Sequence, residues 1–337
     1  MKDLKECMFY EKLKENTVQC HLCPRHCMIA EGKRGNCKVR ENQKGKLYSL
    51  VYAKPCAIAI DPIEKKPLYH FMPGSSVYSI GTAGCNLHCK FCQNWTTSQA
   101  RPEDITPMTL TPKQLVEEAE YHGCHAIAYT YNEPIIFYEY ALDCAKLAKK
   151  KGIKNIIVCN GFINQEPLKE WCKYIDAANI DLKAFTDKFY KQMTGAWIKP
   201  VLESIKILKK QGIWLEITNL MIPTLNDKPA EIKKMCKWIK ENIGTTTPLH
   251  FTAFYPCFKL LDVPPTPKET LLKAKSIADK EGLKYVYVSN VPAEKESNTY
   301  CPKCRNLIIE RGQFNITQNN ISKGKCSCGY KADGIWE

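Results

Sequence analysis

The sequence predicts an α/β fold built on parallel strands, and three observations predict it. Residues 74–290 alternate short β-branched runs with amphipathic stretches of helical period. Those stretches open and close on residues that start and stop helices. The strand-to-strand spacing suits right-handed crossovers between parallel neighbours. Such connections build either an open doubly wound sheet or a barrel, and in a barrel the chemistry sits at the C-terminal ends of the strands.

Three zones follow one another. Residues 1–73 form a Cys-rich N-terminal segment with a short apolar run, ending at Pro73-Gly74. In residues 74–290, strands are expected over 77–82, 126–131, 153–159, 176–182, 213–220 and 249–254, with a seventh candidate over 284–289. Thr111-Pro112 supplies N-cap and N1 chemistry for a helix that Gly123 closes. A long helix should run from Pro134 to Lys151 and stop at Gly152. Further helices are expected over 200–211, 227–243 and from Pro267 to Lys280, each followed closely by a glycine. Residues 296–337 form a short tail with two cysteine pairs. No motif repeats along the chain.

Composition excludes several classes. Of 337 residues, 44% are hydrophobic and 25% charged, which is globular rather than disordered. No apolar run approaches the ~18 residues of a membrane span. The N-terminal stretch has mixed charge and no apolar core, so no signal peptide is expected and the location should be cytoplasmic. The net charge of +14 comes from lysines spread along the chain, which reads as a solvated surface and leaves nucleic acid as an open partner. Nineteen cysteines are too few for a disulfide scaffold of this length, are odd in number, and cluster as metal or catalytic ligands do.

The sharpest cluster follows the first expected strand of the middle zone. Gly84-Cys85-Asn86-Leu87-His88-Cys89-Lys90-Phe91-Cys92 has the spacing C-x3-C-x2-C. Three thiolates on a loop at a strand end can wrap one face of a metal cluster. Structural zinc takes four ligands. Three cysteines without a near fourth therefore suggest a [4Fe–4S] cube with one iron open to a non-protein ligand. A zinc site completed by His88, or buried free cysteines, are the plainer alternatives.

This motif resembles that of radical S-adenosylmethionine (SAM) enzymes, and the resemblance covers roughly residues 75–290. It implies a partial (β/α)6 TIM-type barrel. It also implies that the SAM amine and carboxylate chelate the open iron. Reductive cleavage of SAM would then give methionine and a 5′-deoxyadenosyl radical, fed by an external one-electron reductant of the ferredoxin or flavodoxin type. Phe91 matches the aromatic position near adenine. Tyr131-Asn132-Glu133-Pro134 occupies the place of a Gly-Gly-Glu-Pro motif, which puts Asn132 and Glu133 at the SAM amine. Cys159-Asn160-Gly161-Phe162 is similar to the Thr-Asn-Gly-Phe of glycyl-radical-enzyme activases, with Asn160 toward the SAM carboxylate or ribose. Asp181-Leu182-Lys183 and Met193-Thr194-Gly195 resemble further activase segments. Lys183 would meet the carboxylate, and Asp181 would balance it. Glu216 and Asn219 are candidates for the ribose edge. Plain structural readings compete at each place: a helix N-terminal acid, a turn, a buried ion pair, a strand alternation.

Longer strings resemble the AmmeMemoRadiSam-system radical SAM enzymes, which are pyruvate-formate-lyase-activating-like. They are Asp61 to His70, Met221 to Asp227, His250-Phe251, Pro264 to Pro267 and Asn298 to Cys304. The resemblance leaves the substrate unidentified: a glycine of a partner enzyme is one target, suggested by the activase-like segments, and a small molecule, a lipid or RNA are the others. A non-catalytic iron–sulfur or zinc protein that binds RNA is the reading from another class.

Two cysteine sets flank the middle zone. Cys20, Cys23, Cys27 and Cys37 can close a zinc site or hold a second cluster, with His21 and His26 as spare ligands; structural zinc is the expectation. Cys301, Cys304, Cys326 and Cys328 resemble a zinc ribbon that staples a tail too short for its own core. Cys257, His250 and Tyr255 follow or lie on the sixth strand as weaker candidates at the barrel mouth.

Overall fold

The structure is a computed structural model that describes residues 4–292 and 295–336. Its centre is an eight-stranded sheet: β1 (Ala57–Pro62), β2 (Ser76–Gly81), β3 (Ala126–Tyr129), β4 (Lys154–Cys159), β5 (Ala177–Asp181), β6 (Trp214–Met221), β7 (Leu249–Ala253) and β8 (Val286–Ser289). The strands lie side by side in chain order, and every pair from β2 to β8 is parallel. β1 alone runs antiparallel, with Ile60 opposite Tyr78. The order never reverses, so there is no switch point of the doubly wound kind. Uniform right-handed crossovers then place the helices on one side of the sheet.

The crossovers are α1 (Pro112–Tyr121), α2 (Tyr138–Lys150), α3 (Gln165–Cys172), α4 (Ile198–Lys210), α5 (Pro229–Ile243) and α6 (Lys268–Glu281). α1 starts where the sequence signals it. The Gln114 N–H donates to Thr111 Oγ1 at 3.3 Å, and the Thr111 N–H donates to Gln114 Oε1 at 2.9 Å. The helix expected from Pro134 begins instead as a 3-10 turn, Pro134–Phe137, and becomes α-helical at Tyr138. Its first free N–H, on Ile135, is taken by the Glu133 carboxylate at 3.1 Å.

Two elements depart from the sequence reading. α3 contains Pro167 in its first turn, which hides a short helix. β1 belongs to the central sheet although it lies before Pro73-Gly74, so the expected boundary at 73/74 cuts through a paired hairpin. Its apolar pattern is inverted: Ile60 is 47% exposed, while Asp61 is buried.

The N-terminal segment adds two small antiparallel sheets. It is clamped to α2 by a buried ion pair. Arg40 Nη2 lies 2.8 Å from Glu139 Oε1, and the Met8 N–H donates to the same oxygen at 2.8 Å. The tail is a three-stranded antiparallel sheet, Thr299–Tyr300, Leu307–Arg311 and Ile316–Asn319. It docks through buried Arg311, whose guanidinium covers the Tyr69 ring at 4.2 Å and donates to the Tyr69 carbonyl at 2.7 Å.

Candidate iron–sulfur and SAM site

The loop after β2 carries Cys85, Cys89 and Cys92, and its shape is imposed from several sides. The Asn132 side chain receives the Thr82 N–H at 3.1 Å and donates to the Gly84 carbonyl at 2.7 Å. Arg25 Nε donates to the Asn86 carbonyl at 2.6 Å. The His88 N–H donates to the Thr194 carbonyl at 2.9 Å, and that of Lys90 to the Met193 carbonyl at 2.9 Å. Lys259 N–H holds the Lys90 carbonyl at 2.9 Å, and Cys257 Sγ meets the Cys92 carbonyl at 3.4 Å. The Met193-Thr194-Gly195 segment and Cys257 thus brace the cysteine loop. His88 is held between Gln99 Oε1 and Asn36 Oδ1, each at 2.8 Å, which leaves no ring nitrogen for a metal.

The three cysteines line a cavity of about 1540 Å³, measured to its open mouth. Phe91, Asn132, Glu133, Asn160, Asp181 and Lys183 line the same cavity. These side chains come from the loops after β2, β3 and β4, and from the last residue of β5 and the loop after it, that is, from the C-terminal ends of parallel strands.

Glu133 is the pivotal acid. It is 1% exposed, and its oxygens accept the N–H groups of Asn160 at 2.8 Å and Ile135 at 3.1 Å. Burial pushes its pKa up to about 8 against the pull of those two N–H groups. Such a carboxyl gains most from an arriving cation. Asn160 Nδ2 donates to Asn86 Oδ1 at 2.9 Å, which ties the third loop to the cysteine loop. Lys183 Nζ pairs with Asp181 Oδ2 at 3.0 Å and stands 5.8 Å from the Phe91 ring centre. Burial works to strip its proton, but the Asp181 carboxylate and Cys89 outweigh it and hold the ammonium above its ordinary range. Burial also raises the Cys85 and Cys89 thiols, Cys89 to about 12, so binding iron there displaces protons.

Tyr131 stands where the resembled motif has glycine, and its φ is +68°. A left-handed backbone is thus held here without a glycine, against a strain of roughly 1–2 kcal/mol. The Tyr131 hydroxyl donates to Asp61 Oδ2 at 2.6 Å, and Lys66 Nζ lies 4.5 Å from its ring centre. Both contacts anchor the strained residue.

Glu216 departs from the expected ribose role. It does not line the cavity. It is fully buried deeper in the sheet, where its carboxylate accepts the Tyr69 N–H at 3.0 Å, the His70 N–H at 2.7 Å and the Trp214 Nε1–H at 3.1 Å, and meets His250 Nε2 at 2.6 Å. His250 is thereby also structural. Asn219 faces the other way and donates to the Leu182 carbonyl at 2.7 Å. Thr218, Leu220 and Thr252 line the cavity instead. The two-residue period of β6 points Thr218 and Leu220 the same way as Glu216, one and two steps nearer the mouth. Lys65 and Lys66, from the Asp61 to His70 string, line the cavity as well, Lys66 as a buried side chain.

The flanking sets differ. The tail sulfurs converge: Cys301 and Cys328 lie 3.7 Å apart, Cys304 and Cys326 3.6 Å, and all four ligand atoms fall within 4.8 Å of one another. Cys20, Cys23, Cys27 and Cys37 line a separate small cavity behind the Asn86 backbone.

Several known proteins are similar to this chain. The radical SAM superfamily model matches residues 79–239. An uncharacterized protein of Methanocaldococcus jannaschii is 48% identical over 98% of this chain and 99% of its own length. The pyruvate formate-lyase-activating enzyme of Clostridium pasteurianum is 27% identical, covering 47% of this chain and 66% of that enzyme. The pyruvate formate-lyase 1-activating enzyme of Escherichia coli is 23% identical over 60% of this chain and 89% of its own length. A radical SAM methyltransferase from Sphaerobacter thermophilus shares the fold at a TM-score of 0.51, with 14% identity over 66% of this chain and 68% of the other. With a three-cysteine loop at the head of a parallel sheet, and a family match that spans that loop and the next four strands, the chain belongs to the radical SAM superfamily.

Proposed function

We propose that this protein uses SAM to make a radical on a glycine of a partner protein. The observation that carries the reading is the joint cavity: Cys85, Cys89 and Cys92 share it with Asn132, Glu133, Asn160, Asp181 and Lys183. The donor set fits the groups that the family implies. Three thiols suit three irons of a [4Fe–4S] cluster, and a buried carboxyl opposite a buried ammonium suits an amino acid headgroup. A cluster held by Cys85, Cys89 and Cys92 would supply one electron to the SAM sulfonium, and with it the power to abstract a hydrogen atom from the substrate.

The chain's own residues then have these tasks. Glu133 accepts the SAM ammonium. Lys183 and Asn160 meet the SAM carboxylate and ribose, and Asp181 keeps Lys183 charged. Phe91 packs against adenine. Asn132 fixes the approach of the cysteine loop. The buried walls exclude water from a reactive radical. We read the ordered, unreversed sheet as a partial (β/α)6 barrel over 74–290, joined by β1. Residues 1–73 serve as a second metal-binding segment and 296–337 as a zinc-ribbon-like staple, whose sulfur spacing supports one zinc ion. A ferredoxin- or flavodoxin-type donor supplies the electron in the cytoplasm. Among the described residues no helix is long and apolar enough to cross a membrane.

The activating enzymes among the relatives support a protein target. The test is isotopic. Reconstituted protein, SAM and reductant are mixed with the protein fraction of cells grown on α-deuterated glycine. Deuterium should appear in 5′-deoxyadenosine. 5′-Deoxyadenosine formed only on addition of the small-molecule, lipid or RNA fraction would replace the protein target with that class.

A further inference from the structure

The three cysteine sets differ in how their sulfurs stand, and the difference carries a chemical meaning. A single zinc ion with Zn–S bonds of about 2.3 Å holds its four sulfurs about 3.8 Å apart. The tail quartet matches that, with pairs at 3.7 and 3.6 Å. Among the described residues it is the one group of three or more ligating side chains whose atoms all come within 4.8 Å. Cys20, Cys23, Cys27 and Cys37 are not drawn together in that way. They ring a hollow of about 350 Å³, measured to its mouth, as Cys85, Cys89 and Cys92 ring the floor of the main cavity. One ion gathers its thiolates. A cube holds each thiolate on a separate corner, and so holds them apart.

A second observation is independent of the cysteines. Arg40 is 2% exposed and lines the same hollow. Its terminal nitrogens are engaged by Glu139 and by the Met8 carbonyl at 3.0 Å, but its buried Nε–H has no partner. Leaving such a donor unpaired costs about 1–3 kcal/mol, and a sulfur atom in the hollow would accept from it.

The surrounding backbone agrees. Asn36 N–H points at Cys27 Sγ at 3.4 Å. The Leu87 N–H serves Cys85 in the same way, at 3.3 Å. Such N–H donors spread the negative charge of metal-bound thiolates and set the potential of a cluster.

We infer that Cys20, Cys23, Cys27 and Cys37 hold a second [4Fe–4S] cluster, closed by protein at all four corners, with Arg40 Nε–H donating to its sulfur face. This replaces the structural zinc expected from the spacing. With no open iron, its chemistry is the transfer of single electrons. It lies directly behind the first centre: a Cβ on Gly84 would stand 2.7 Å from the Cys37 carbonyl, and Asn86, next to Cys85, lines the hollow.

The test separates this centre from the SAM site. The full chain with Cys85, Cys89 and Cys92 changed to Ala is reconstituted without oxygen, with iron, sulfide and zinc all supplied. It should retain about four irons and about four acid-labile sulfides, and give an electron paramagnetic resonance signal on reduction that SAM does not change. The unaltered chain should hold about eight irons and show broadening from two neighbouring spins. Arg40→Lys keeps a charge opposite Glu139 but removes the Nε–H, and should lower the reduction potential of this cluster while leaving that of the other in place. About four irons in the unaltered chain, with zinc and no sulfide in the triple variant, would overturn the inference. The iron count of the unaltered chain decides alone if the triple variant does not fold. The proposed reaction at the first centre can fail without affecting either result.

Discussion

At the residue scale, Glu133 is the carboxyl proposed to receive the SAM ammonium. It is buried, fixed by two backbone N–H groups, and pushed up to a pKa of about 8. Glu133→Gln keeps the shape and removes the charge. Charge-assisted hydrogen bonds contribute roughly 1.5–3 kcal/mol, so SAM affinity should fall by about tenfold to a hundredfold. Calorimetric titration of the cluster-loaded variant with SAM reads this directly, and unchanged affinity would move the ammonium site elsewhere. Tyr131 illustrates what a motif match leaves out. The resembled motif has glycine there, yet the backbone still turns to φ +68°, because a tyrosine anchored on Asp61 and Lys66 can be held in that region. The three cysteines, Phe91, Asn132, Glu133, Asn160, Asp181 and Lys183 are legible in the sequence; Lys65, Lys66, Thr218, Leu220 and Thr252 on the same wall, and this substitute for glycine flexibility, are not.

At the element scale, the strands after β1 announce themselves by composition, because a parallel sheet covered on both faces needs continuous apolar runs. β1 does not, since it exposes Ile60 and buries Asp61 to serve Tyr131, Lys65 and Lys66. Glu216 fails differently. Alternation along β6 gives its face correctly but says nothing about depth, and depth separates a cavity wall from the interior. The Arg40–Glu139 pair belongs to this scale, since it locks the N-terminal segment to α2. Glu139→Ala should leave a buried guanidinium unpaired and reduce stability by about 3–5 kcal/mol. The double variant Arg40→Met/Glu139→Leu should recover much of that loss in denaturant melts. Equal losses in the single and double variants would mean that the pair is not the clamp.

At the scale of the whole molecule, the tail closes the far end of the sheet. The Ile335 N–H donates to the His70 carbonyl at 2.8 Å, His70 Nδ1 meets the Asp333 carbonyl at 2.6 Å, and His70 Nε2 meets the Tyr287 hydroxyl at 2.5 Å. Burial pulls the His70 pKa down to about 4, although Glu216 works to raise it. The folded protein therefore keeps this ring neutral where the unfolded chain, near 6.5, takes up a proton. More protons on the unfolded chain mean that stability falls as pH drops through 6.5, approaching a loss of about 3 kcal/mol by pH 4. His70→Gln should flatten that part of the stability–pH curve, and an unchanged slope would assign it to other groups. Chelation of the metal proposed for the tail quartet, or Cys301→Ala with Cys304→Ala, should lower the melting temperature while leaving the spectrum of the cluster proposed at Cys85, Cys89 and Cys92 intact.

The central claim is that three sulfurs on the loop after β2 hold an iron–sulfur cluster that acts on SAM. Its most direct measurement is the yield of 5′-deoxyadenosine from anaerobically reconstituted protein given SAM and a strong reductant. The account predicts 5′-deoxyadenosine and methionine in equal amounts, abolished when Cys85, Cys89 and Cys92 are changed to Ala. A fully loaded cluster that releases neither product would contradict it and favour a protein that binds without catalysing.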